Sequence, residues 1–148
     1  MTATLVRHYD AQSLESLLPH RYPFLLVDRI DVLEPGRHVV GTKRITSGEW
    51  WMGLEPREVV PFTLVLEALA QTSGALVPDL AASDAGAIAY FMGADRVRFR
   101  RPSHAGDELV LDVMLKVWRR GVCRTRAVAT VDGSVVVSAE LTTIVRPA

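Results

Sequence analysis

Residues 61–77, PFTLVLEALAQTSGALV, constrain this chain more than any other stretch, because they are apolar on nearly every face and hold one charged residue, Glu67. The leading proline suits the start of a helix, where its missing N–H would have had no intrahelical partner. A helix that is apolar all round must be buried. The chain has 148 residues, which suits one core and leaves little room for a second. This helix is therefore expected at the centre of a single domain spanning residues 1–148, with no repeat or low-complexity linker to divide it.

Most of the remaining chain reads as strand. In DELVLDVMLKVW, the side chains of Leu109, Leu111, Val113, Leu115 and Val117 share one side, the period of a strand with one face on a core. FLLVDRIDVLE, RHVVGTKRIT, the pair AIAYFMG and DRVRFRR, RTRAVATV and SVVVSAELTTIV complete a set of about six strands. Pro35-Gly36 and Asp132-Gly133 mark tight turns. A short helix over residues 13–18 is expected to stop before Pro19, and residues 47–60 follow neither period and read as a loop. Short turns imply antiparallel pairing. The expected class is α+β, a curved antiparallel sheet wrapped around one long helix, with a second copy covering what the sheet leaves bare.

Composition narrows the function. Lys plus Arg number 17 and Asp plus Glu 17, so no net field draws the protein to nucleic acid. The one cysteine, Cys123, has no partner for an internal disulfide or a thiolate metal cluster. There is no signal-peptide pattern at the N-terminus and no run of 18 apolar residues, and the expectation is a cytoplasmic protein with no membrane association. The four histidines, His8, His20, His38 and His104, lack metal-ligand spacing, so no metal is expected. Gly-rich phosphate loops and nucleophile elbows are absent from the sequence.

Glu67 is the leading candidate for chemistry. Thr63, Glu67 and Gln71 lie four apart and share a helix face. A lone carboxylate in an apolar setting needs a reason. That reason is either a structural pair with an arginine or acid–base catalysis. His20, between Pro19 and the PFLLV run, reads as a capping or hydrogen-bonding residue. Arg96, Arg98 and Arg100 alternate with Val97 and Phe99, so a regular strand presents them on one face, either as a solvated surface or as a dock for an acidic partner.

Several stretches together resemble the FabZ-type beta-hydroxyacyl-acyl-carrier-protein dehydratases: LLPHRYPFLLVDRI at 17–30, GTKRIT at 41–46, LVLEALAQTSG at 64–74, DRVRFRRP and GDEL within 95–109, then ATVDG and AEL. The resemblance implies the hotdog fold, paired subunits with sheets joined edge to edge, and in some cases trimers of dimers. It implies dehydration of a 3-hydroxyacyl thioester on acyl carrier protein, in fatty-acid or polyketide-like synthesis, with no cofactor. In the family a histidine of a G-H-F-P segment takes the C2 proton. A helix carboxylate of the other subunit helps the hydroxyl leave, and a backbone N–H at the helix start polarises the thioester carbonyl.

Glu67 falls on the carboxylate position. The segment Gly53-Leu54-Glu55-Pro56 places Leu54 where the histidine stands, which implies an impaired enzyme with Glu55 as a possible substitute base. Pro61 and Phe62 replace the helix-start segment and, with Gln71, are the expected substrate-contacting residues; Phe62 stands for a glycine and narrows the acyl tunnel. The carrier protein is expected to dock on Arg96, Arg98 and Arg100. The other readings are a hotdog thioesterase and a non-catalytic subunit paired with a catalytic relative in a heterodimer.

Overall fold

The computed structural model describes residues 5–54, 58–83 and 86–147. Helix α1 covers Ala11–Leu17, two residues upstream of its expected start, because Asp10 caps it. The Asp10 carboxylate accepts from Ser13 N at 2.9 Å and the Ser13 hydroxyl accepts from Asp10 N at 2.8 Å. These bonds satisfy end donors that the helix itself cannot and hold the Asp10 carboxyl below its ordinary range.

Seven strands form where about six are expected: β1 (Arg7–Tyr9), β2 (Arg29–Glu34), β3 (His38–Arg44), β4 (Ile88–Phe99), β5 (Glu108–Arg119), β6 (Val122–Val131) and β7 (Ser134–Arg146). They make one antiparallel sheet in the order β1-β2-β3-β5-β6-β7-β4. The added strand is β1, whose three residues pair with Tyr9 opposite Ile30. A segment so short carries no period of its own and is made a strand by its neighbour. The segments AIAYFMG and DRVRFRR are one strand, β4, at the far edge of the sheet. Both expected turns form. At Asp132-Gly133 the two residues have φ of 48° and 76°, the left-handed pair that a two-residue hairpin turn requires.

The apolar segment splits. Helix α2 is Phe62–Gly74, and a four-residue helix α3, Val77–Leu80, follows with Pro78 in its first turn. Val65, Ala68, Leu69 and Thr72 of α2 are buried, and the helix packs on β3, β5, β6 and β7. The facing side chains Leu109, Leu111 and Val113 of β5 are fully buried. Burial stops there. Along β5 a bulge between Leu115 and Val117 shifts the register, and Val117 is exposed. No helix among the described residues is long and apolar enough to cross a membrane.

Candidate functional site

Residues 18–26 leave α1 and turn back along the Glu67–Gln71 side of α2. Arg21 holds this turn, donating to the carbonyls of Glu15 at 2.9 Å, Leu18 at 2.9 Å and His20 at 2.8 Å. Its own carbonyl accepts from Phe24 N and Leu25 N. The turn is fastened to the helix by Gln71, which is 2% exposed. Gln71 Oε1 accepts from Leu26 N at 2.9 Å, and its Nε2 donates to Phe24 O at 2.7 Å.

That fastening places chemistry. Gln71 Nε2 also donates to Glu67 Oε1 at 2.9 Å, and His20 Nε2 lies 3.4 Å from the same oxygen. The Glu67 and His20 side chains are 35% and 34% exposed, so the pair faces solvent without being free in it. Neither a hydrogen bond nor an ion pair from any described residue engages Glu67 Oε2. The three residues line a cleft of about 870 Å³, whose other walls include Ile88 and Phe91 of β4 and Cys123 of β6. Burial pushes the Cys123 thiol up to about 11, leaving it an inert wall rather than a nucleophile.

Of the two reasons offered for Glu67, the structural pair with an arginine does not form among the described residues. Glutamine and histidine take that place. His20 does not act as a helix cap; its Nε2 faces Glu67, and its buried Nδ1 has no hydrogen-bond partner among the described residues. The motif around His20 was visible in the sequence, but only the turn held by Arg21 and Gln71 brings position 20 to position 67. Gln71 joins Glu67 as the shared helix face requires.

Other candidates lie apart. Leu54 is 67% exposed and outside the cleft wall, and Glu55 lies outside the described residues. Pro61 and Phe62 stand at the start of α2, where Pro61 supplies no side-chain cap to the first-turn N–H groups. The Phe62 ring stacks on Phe99 with centroids 4.8 Å apart. Neither residue lines the cleft. At about 1.5 Å rise per residue, the helix start is roughly 7 Å from Glu67 along the axis.

The arginine alternation is broken by a bulge between Asp95 and Arg98, with Arg96 at a φ of 50°. Arg96 donates to Glu140 at 2.7 Å, whereas Arg98 and Arg100 are exposed and form no ion pair among the described residues. Glu140 also faces Lys116 at 3.2 Å and Arg124 at 3.7 Å. Lys116 first, then Arg96, hold its carboxyl below the ordinary range.

Comparison with known proteins matches residues 18–140 to the FabA-like domain. A relative from Roseiflexus sp. (strain RS-1), a 3-hydroxyacyl-[acyl-carrier-protein] dehydratase FabZ, is 46% identical over 132 residues, covering 88% of this chain and 92% of the relative. The protein of that name from Bacillus subtilis (strain 168) is 42% identical over 135 residues, covering 90% of this chain and 95% of its own. Among solved structures, the dehydratase heterocomplex ApeI:P from Xenorhabdus doucetiae superposes with a TM-score of 0.74 at 18% identity, covering 88% of this chain and 89% of that one. The last likeness is one of fold.

Proposed function

The chain belongs to the FabA-like domain family, among its FabZ-type dehydratases and with their hotdog fold, and from that premise we propose that it removes water from a 3-hydroxyacyl thioester presented by acyl carrier protein. The observation that carries this reading is Glu67, the one charged side chain of α2, held by Gln71 at the wall of a cleft large enough for an acyl group. Glu67 delivers a proton to the departing 3-hydroxyl. The first-turn N–H groups of α2, uncapped by any side chain, receive the thioester carbonyl as charge develops on its oxygen.

Leu54 stands at the family's histidine position and accepts no proton at any pH. Turnover is accordingly slower than in relatives that keep the base, by the 10²–10⁴-fold typical of one positioned acid–base group. Arg98 and Arg100 offer positive charge to the acidic surface of the carrier. The exposed apolar side chains of the β4 edge, Ile88, Tyr90, Phe91 and Met92, are the surface through which two copies pair.

The test incubates the purified protein with a short 3-hydroxyacyl thioester and, separately, with a saturated acyl thioester. Slow loss of water from the first, abolished by Glu67→Gln, is the expected result. Release of free thiol from the saturated substrate supports a thioesterase instead. Silence toward both until a catalytic relative is added supports a non-catalytic subunit. Leu54→His raises the dehydration rate if residue 54 is aimed at C2.

A further inference from the structure

Glu67 is gripped by one oxygen only. Gln71 Nε2 and His20 Nε2 both converge on Oε1, at 2.9 and 3.4 Å, while Oε2 has no partner among the described residues, on a side chain that lines the cleft. The His20 ring is oriented as a donor. Its Nδ1 is buried without a partner, and a proton there would be an orphaned buried donor, which costs more than an idle acceptor. The ring proton therefore belongs on Nε2, the nitrogen that lies 3.4 Å from Glu67 Oε1. His20 so arranged has no lone pair to offer a substrate in the cleft.

Resting on the dehydratase reading, we propose that Glu67 Oε2 carries out both proton transfers, with His20 as a positioning residue that, together with Gln71, pins Oε1. The carboxylate removes the C2 proton, and the C–H electron pair becomes the C2–C3 double bond. The C3–O bond breaks, and the same proton passes from Glu67 to the departing oxygen, which leaves as water. Proton and electrons balance within one carboxyl group, which returns to its starting state without a second base. The elimination is syn, because one oxygen must reach hydrogen and hydroxyl on the same face of the substrate. The group lost at Leu54 is bypassed rather than replaced.

The distinguishing variants exploit the two nitrogens of the ring. In His20→Gln the amide nitrogen falls near the place of Nε2 and still presents an N–H beside Glu67 but takes up no proton; in His20→Asn it falls short. With a 3-hydroxybutyryl thioester as probe, the conservative His20→Gln is expected to lose only a few-fold in kcat, and His20→Asn about 100-fold, as misplacement by an ångström does. Unchanged thermal unfolding confirms that each variant folds.

The pH profile of His20→Gln supplies the second readout, since among the described residues the titratable groups lining the cleft are then Glu15, Arg21, Glu67 and Cys123. One carboxylate acting as base and then acid gives a rate that rises from acid pH to a plateau. Separate acid and base groups give a bell. Loss of activity in His20→Gln, or a bell-shaped profile, overturns the proposal while Glu67→Gln inactivation upholds the dehydratase reading. Failure of the unsubstituted protein to dehydrate the probe overturns both.

Discussion

Gln71 uses both ends of its side chain inside the protein: Oε1 takes Leu26 N–H, and Nε2 serves Phe24 O and Glu67 Oε1. Replacing it by leucine preserves volume but orphans a backbone donor and a backbone acceptor at the turn. An unsatisfied buried polar group costs about 1–3 kcal/mol, so Gln71→Leu is expected to lower the urea midpoint by at least that much free energy. Because the same side chain anchors Glu67, kcat falls in the fraction that stays folded. Glu67 and Gln71 were legible in the sequence as neighbours four apart on a helix. Their partner His20 was not. Its approach depends on a turn fixed by side-chain-to-carbonyl bonds from Arg21, and no periodicity records such bonds.

Between elements, β3 lies close against α2 at Gly41. A Cβ added at Gly41 would stand 2.6 Å from Thr72 Oγ1, 3.1 Å from Thr72 Cγ2 and 3.3 Å from Val27 Cγ1. Thr72 is fully buried, and its hydroxyl donates to Ala68 O at 2.8 Å, so it does not swing aside. Overpacking of this kind costs about 1–3 kcal/mol. Gly41→Ala should lose stability in that range, and Thr72→Ala in the Gly41→Ala background should recover part of it, giving a non-additive cycle in denaturant unfolding. At this scale the sequence was informative where the chemistry is local. Asp132-Gly133 and Pro35-Gly36 specify hairpins by backbone preference, and Leu109, Leu111 and Val113 specify the inward face of β5. It was silent where the cause is tertiary. Strand β1 exists because β2 offers it an edge, and the bulge at Arg96 reverses an alternation that reads as regular along the chain.

Across the whole molecule, Glu140 on β7 gathers Arg96 of β4, Lys116 of β5 and Arg124 of β6, so one carboxylate joins the charges of four strands. Its carboxyl is held below the ordinary range, which makes its stabilisation present above the carboxylate range and lost as acid protonates it. Glu140→Gln is therefore expected to unfold at lower denaturant than the unsubstituted protein at pH 7, with the difference shrinking once pH falls below the ordinary glutamate value of about 4.3 and vanishing only below the depressed value of the folded state. Converging midpoints across an acid series check this, and a constant difference would count against it. The two margins of the sheet are unequal in a way that bears on growth. Strand β1 has three residues and is tied down beside Arg7, which grips Asp79 at 2.6 Å, whereas β4 runs twelve residues with apolar side chains outward. A body that is adhesive along one margin and blunt along the other joins a copy of itself once, and the joined pair then presents two blunt ends. On the pairing proposed above, strand addition would be self-terminating, which would keep a long bare edge from seeding a fibre.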